Sequence, residues 1–292
     1  MYNNLNVKIL PVLGSIQDKS ALNRIFDNNN IDTLYHAAAY KHVPLLEDNI
    51  IEGIKNNVYG TKLLIDLSIK YNVRKFILIS SDKAVRPTNY MGATKRIAEI
   101  LCLLGNKKQN KTKFCIVRFG NVLGSSGSVV PLFNQQISKG GPVTVTDCKI
   151  ERYFMTIQEA TELVIQASSM ANKGAEIFIL DMGKRIKIID LAKQMIKLNG
   201  LIPVINNNKN YKLKSNEMLI KFTGLRPGEK LIEELVHNTK IMKRNLYKSI
   251  DNMWYLAGDN STDFSFYTKR LTLALIYTNA LFVFFNKDFE HA

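Results

Sequence analysis

Short β-type runs alternate with longer stretches of helical apolar spacing from the start of the chain to about residue 200, and this alternation restricts the fold more than any other feature. A helix between two strands returns the chain to the same end of a sheet, so the pattern predicts an α/β fold with crossover units around a parallel sheet. The strand candidates are Val7–Leu10, Thr33–His36, Phe76–Ile79, Phe114–Arg118 and Ile177–Leu180. Between and after them, Ser20–Asn28, Glu52–Lys70, Gly92–Leu104, Pro131–Ser138, Thr156–Met170 and Asp190–Leu198 read as helices. Residues 200–220, rich in Asn and Lys, read as a surface excursion, and Leu225–Lys230 (LRPGEK) reads as a turn that holds an arginine, a glutamate and a lysine together.

The stretch Ser80–Arg96 (SSDKAVRPTNYMGATKR) places an acid, two lysines and serines just beyond the buried run Phe76-Ile77-Leu78-Ile79. Ligands of open α/β sheets bind at the carboxyl ends of strands, so this is a catalytic arrangement. The net charge of +15 favours an anionic partner, but the lysines are scattered rather than gathered into a stripe, and no RNA-binding signature accompanies them. The expectation is a nucleotide substrate and no nucleic acid. Cys102, Cys115 and Cys148 are odd in number and lack metal-ligand spacing, which predicts reduced core thiols, a cytoplasmic protein and no metal. The first residues show no signal segment, and the longest apolar run, Leu271–Phe285, is short for a membrane span and contains Thr272, Thr278 and Asn279.

Five motifs in order carry a resemblance: HAAAYKHVP (His36–Pro44), the Ser80–Arg96 stretch, RFGNVLGSSGSVVPLF (Arg118–Phe133), ERYFMT (Glu151–Thr156) and GLRPGEK (Gly224–Lys230). Together they resemble the CapD-type polysaccharide-biosynthesis proteins, nucleotide-sugar 4,6-dehydratases of the extended short-chain dehydrogenase group, over roughly residues 5 to 238. The resemblance implies conversion of UDP-N-acetylglucosamine to a 4-keto-6-deoxy sugar nucleotide with NADP or NAD. Hydride leaves C4, a base takes the C5 proton, water departs from C6 and the hydride returns there. It also implies a homo-oligomer, and it leaves membrane association open through longer, membrane-anchored relatives.

In that family Asp82 matches the general acid for the leaving hydroxyl and Lys83 the base. Such a base needs burial or nearby cations, so Lys83 is expected to be partly enclosed and close to Lys95, with Ser81 donating to the substrate. Many dehydrogenases of the group pair a tyrosine with the lysine four residues on, but here Lys95 is paired with Met91. Tyr90 is turned roughly 100° around the helix from Met91. Since Met91 takes no proton, Asp82 or a substrate group would serve at O4.

For the cofactor, Asp18 matches a residue that contacts adenine, and the small residues after His36, Ala37 and Ala38 among them, let the backbone approach a dinucleotide; tight helix–strand packing is the alternative. Asn57 lies on a helix that backs the active site in the family, and Lys41 lies in a loop able to face the sugar, with plain polar surface as the alternative for both. Arg118 and Asn121 match a substrate-side loop, Arg152 and Arg226 match arginines that hold the diphosphate, and Glu229 could accept from a ribose hydroxyl.

Two departures stand out. The family's opening strand and glycine-rich turn have no counterpart, since Gly14 stands alone, so the implied fold is an incomplete Rossmann-type doubly wound sheet with a small substrate-binding part over residues 1–238. Residues 239–292 form a helical tail whose segment Ser249–Thr278 resembles the end of the lipid-binding accessory proteins of ubiquinone biosynthesis. Three readings follow: a dehydratase impaired by the missing turn, with a 4-epimerase as its enzymatic alternative; a lipid- or quinone-binding module acting through the tail; and an inactive fused remnant.

Overall fold

The structure, a computed structural model, describes residues 8–109, 111–172, 174–206 and 212–236. The first half runs α1 (Lys19–Asn28), β1 (Thr33–His36), α2 (Val43–Asp48), α3 (Ile50–Gly53), a π-helical segment (Ile54–Gly60), α4 (Thr61–Lys70), β2 (Lys75–Ile79), a 3-10 turn (Asp82–Ala84), α5 (Tyr90–Lys108) and β3 (Lys113–Arg118). The second half runs β4 (Asn121–Val122), α6 (Val129–Ser138), β5 (Val143–Val145), β6 (Glu151–Arg152), β7 (Phe154–Met155), α7 (Ile157–Met170), β8 (Glu176–Ile179), β9 (Ile186–Lys187), α8 (Ile188–Leu198), β10 (Ile202–Val204) and β11 (Glu217–Phe222).

The main sheet has the order β1-β2-β3-β8, with every pairing parallel. Successive side chains of a strand point to opposite faces, and here both faces are apolar. Phe76, Leu78, Phe114 and Ile116 pack with residues of α1, α4 and α5, while Ile77, Cys115 and Val117 pack with Ala160, Val164 and Ala167 of α7. Helices therefore cover the sheet on both sides, the doubly wound arrangement of a Rossmann-type fold. Phe76 and Phe114 are fully buried with ring centroids 5.4 Å apart, and burying side chains of this size contributes about 2–3 kcal/mol each.

A smaller lobe is built on the parallel sheet β10-β11-β5, against which α6 and α8 pack through Phe133, Ile137, Ala192 and Ile196. Helix α7 begins with a capping box, in which Thr156 and Glu159 each accept from the other's backbone N–H. Among the described residues no helix is long and apolar enough to cross a membrane, and no cluster of His, Cys, Asp and Glu could hold a metal ion.

Several expectations are corrected. Residues 8–10 of the candidate strand Val7–Leu10 form no strand; Ile9 and Leu10 are exposed, and no described strand pairs with them. Helical conformation in the segment expected from Glu52 starts earlier, at Ile50, and passes through the π-helical turn. Residues 200–220 are more than a surface excursion. They supply β10 and β11, because Met218 and Ile220 alternate inward beneath an Asn- and Lys-rich composition. Cys102 and Cys115 are buried free thiols as expected, but Cys148 is exposed. The tail from residue 239 lies outside the described residues.

Candidate active site

Strand β2 ends at Ile79, and the chain then makes a single 3-10 turn, Asp82–Ala84, before entering α5. Ser81 caps that turn, its hydroxyl accepting from the Lys83 N–H at 3.2 Å and donating to Asp82 Oδ1 at 2.9 Å. Lys83 Nζ donates to the same Oδ1 at 3.0 Å. Asp82 is fully buried, and its second oxygen, Oδ2, has no hydrogen-bond partner. An unpaired buried carboxylate oxygen is costly, which makes it a candidate contact for a ligand hydroxyl. Room for it is left by Gly120, where a Cβ would stand 3.2 Å from Oδ2 and 2.9 Å from Tyr153 Cβ.

Helix α5 is docked tightly on this turn. A Cβ on Gly92 would collide with the Lys83 carbonyl oxygen, so glycine allows the helix and the catalytic loop to touch through backbone. Met91 is buried and Tyr90 is exposed, as the helical phase predicts. Lys95 reaches back from α5 to the end of β2, its Nζ donating to Ile79 O at 2.9 Å. Burial pulls its pKa down to about 8, with the Glu99 carboxylate partly offsetting that effect.

Glu99, one helical turn beyond Lys95, is fully buried and is absent from the residues that the motifs point to. Its carboxylate accepts from Arg118 Nε at 2.6 Å and Nη2 at 2.7 Å, from Ser80 Oγ at 2.7 Å and from Arg96 Nη1 at 2.8 Å. Its i,i+4 spacing from Lys95 is the one signal of it in the sequence. In this network the Arg118 guanidinium is buried at the end of β3 and closed on Glu99, so it holds the sheet to α5.

Other expected residues are also engaged within the protein. The Ser81 proton goes to Asp82, which makes Ser81 a positioning residue. His36 is buried with Nε2 2.8 Å from Thr61 Oγ1, and burial lowers its pKa to about 4. Asn57 is buried, accepting from Tyr40 N and donating to Tyr40 O and Thr94 Oγ1, so its amide pins the loop after β1 instead of reaching a ligand. Asp18 caps α1 through Ala21 N at 2.9 Å. Ala37, Ala38 and Lys41 are exposed beyond the carboxyl end of β1. Asn121 Nδ2 donates to Tyr153 O at 3.2 Å.

The second group gathers at the 224–233 segment. Arg152 donates to Glu151 O, Lys230 O and Leu231 O, so its guanidinium clamps the backbone of that segment. Glu229 accepts from Arg226 N at 3.2 Å and Thr146 Oγ1 at 3.3 Å and lies 3.5 Å from Arg152 Nη2, leaving Arg226 exposed as the arginine of this group turned to solvent. Lys230 donates to Val85 O at 2.8 Å, and its electrostatic neighbours include Asp82 and Lys83.

Small residues at the end of β1 and a lysine at the end of β2 fit the nicotinamide and ribose half of a dinucleotide. Among the described residues no glycine-rich turn accompanies them for the pyrophosphate.

The model of the family described as "Polysaccharide biosynthesis protein" matches residues 1–253, and that of the family described as COQ9 matches residues 240–292, in agreement with the second resemblance in the tail. The chain is 48% identical over 249 residues to the capsular polysaccharide biosynthesis protein CapD of Staphylococcus aureus, covering 85% of this chain and 39% of CapD. It is 34% identical to a UDP-N-acetylglucosamine 4,6-dehydratase (inverting) of Campylobacter jejuni, over 77% of this chain and 61% of the relative. It is 32% identical to a UDP-glucose 4-epimerase of Rickettsia canadensis, over 82% and 65%. The chain therefore spans about two fifths of CapD and less than two thirds of the other two. Among solved structures, Pen from Bacillus thuringiensis superposes with a TM-score of 0.68 at 39% identity, over 77% of this chain and 65% of Pen. DesIV, a dTDP-glucose 4,6-dehydratase from Streptomyces venezuelae solved with NAD bound, superposes at 0.64 with 19% identity, over 79% and 71%, a likeness of fold.

Proposed function

The chain belongs to the polysaccharide biosynthesis protein family, and on that premise we propose that it is built for 4,6-dehydration of a UDP-linked N-acetylhexosamine, UDP-N-acetylglucosamine first among them. The observation that carries this reading is the Asp82–Lys83 pair: a buried carboxylate with one unpartnered oxygen, beside an ammonium at 3.0 Å, at the carboxyl end of a central parallel strand.

Elimination of water needs an acid for the leaving hydroxyl and a base for the carbon proton, close together and on one substrate. Asp82 Oδ2 would take the proton of the C4 hydroxyl, which Met91 cannot do, and deliver it to the hydroxyl that leaves C6 as water. Lys83, the member of the pair with solvent-accessible surface, would remove the C5 proton as the neutral amine and give it back to C5 when hydride arrives at C6. Ser81 holds Asp82 for this work, and exposed Arg226 would pair with the diphosphate. Bound NAD or NADP would supply the acceptor for the hydrogen lost from C4 and return it at C6. Lys95, with Ala37 and Ala38, would face its nicotinamide and ribose. Residues 1–238 are read as the catalytic unit and 239–292 as a separate tail.

The test is incubation of the purified chain with UDP-N-acetylglucosamine and NADP or NAD, following product by mass. The expected product has lost one water, and both Asp82→Asn and Lys83→Ala should reduce its rate by about 100-fold or more. An isobaric product would favour 4-epimerisation, the reading that the epimerase relative supports. No product from a folded sample with either cofactor would overturn the dehydratase reading of this chain.

A further inference from the structure

Lys230 stands where two segments of different chain origin meet. Its Nζ donates to Val85 O at 2.8 Å, just past the 3-10 turn, and lies 3.8 Å from Glu233 Oε2. That separation suits an ion pair but is too long for a hydrogen bond, so Glu233 Oε2 is, like Asp82 Oδ2, a buried carboxylate oxygen without a hydrogen-bond partner.

The segment carrying Lys230 is fastened across the loop that joins Asp82–Ala84 to α5. Thr88 Oγ1 and Asn89 Nδ2 both donate to Gly228 O, at 2.8 and 3.1 Å, and Arg86 is ion-paired with Glu234. Gly228 has φ +72°, and a Cβ there would lie 2.7 Å from Asn89 Cβ, so only glycine brings the two backbones this close. The turn bearing Arg226 and the loop bearing Asp82 and Lys83 therefore form one block.

We propose that Lys230 is a positioning residue for the Asp82–Lys83 pair, supplying the second cation of a buried cluster and tying that pair to the turn at 224–230. Among the described residues its charged surroundings include Asp82 and Lys83 from the 3-10 turn, Arg86 from the following loop, and Glu233 from its own segment. Burial lowers the Lys230 pKa, Glu233 and Asp82 oppose that change, and Arg86 and Lys83 reinforce it. The catalytic meaning of this inference rests on the dehydratase reading; the coupling between the two segments does not.

The test has two arms. In the first, the chain is labelled with 13C at the lysine Cε positions, the Lys230 signal is assigned by its loss in Lys230→Arg, and its pH titration is followed by NMR. The midpoint should move down in Asp82→Asn and up in Lys83→Met, each by about half a pH unit; a midpoint unmoved by both substitutions overturns the proposal. In the second arm, Lys230→Met should lower kcat by about 10- to 100-fold with KM changed less than about threefold, and Lys230→Arg should recover part of the loss. A loss confined to KM, or equal in the two variants, also overturns it. If wild type is folded but makes no product, the dehydratase reading falls, and the NMR arm still decides whether Lys230 and the pair are coupled.

Discussion

Lys95 shows how a buried cation makes stability depend on pH. Burial holds its folded pKa near 8, below the ordinary value of 10.5, so between those values the unfolded chain binds the extra proton. Stability should rise with pH across that window and stay at its lower level below about 8. The difference in unfolding free energy between wild type and Lys95→Met, measured by denaturant titration, should move in favour of wild type by up to about 3 kcal/mol from pH 8 to 10.5. A difference that stays flat with pH would mean that Lys95 is solvated in the folded state. His36 shows the limit of reading a residue by its neighbours in sequence. The run of alanines after it reads as a cofactor contact, yet the ring turns into the core against Thr61. Which way a side chain at a strand end points depends on the pleat and on the partner helix, and neither is written in the motif.

At the scale of elements, four of the five strand candidates formed, because the strands of a parallel sheet covered on both faces read as short β-rich runs wherever they lie in a chain. β10 and β11 were hidden by flanking asparagines and lysines that belong to the loop between them. The polar turn Ser81-Asp82-Lys83 was legible as a candidate site, since polar residues directly after a buried run mark the carboxyl end of a strand, where such sheets bind their ligands. The roles of Glu99 and Lys230 were not, because the arginine that closes on Glu99 comes from another strand and Lys230 meets the loop across more than a hundred residues of sequence. The contact of α5 with the loop gives a direct test. Gly92→Ala adds a methyl against the Lys83 carbonyl and should cost about 1–3 kcal/mol despite alanine's better helix propensity, as measured by chemical denaturation. A neutral or stabilising result would show that the loop can retreat.

For the whole molecule, the main sheet sets a gradient of protection. β2 and β3 are paired on both sides and their inward residues are fully buried, whereas β1 and β8 flank them and are less enclosed. Hydrogen exchange followed by mass spectrometry should give the slowest amides in β2 and β3 and faster exchange in β1 and β8; equal protection across all four strands would contradict this packing. The same sheet has a consequence in time. Each parallel pairing joins residues roughly forty to sixty positions apart, so every ladder must wait for a long loop to close, and folding driven by such contacts is slow. During synthesis β1, β2 and β3 emerge with α4 and α5 well before the segment that carries Gly228 and Lys230. The ion cluster around Asp82 is thus among the last features to close, and a nascent chain has its strands in register before its chemistry is assembled.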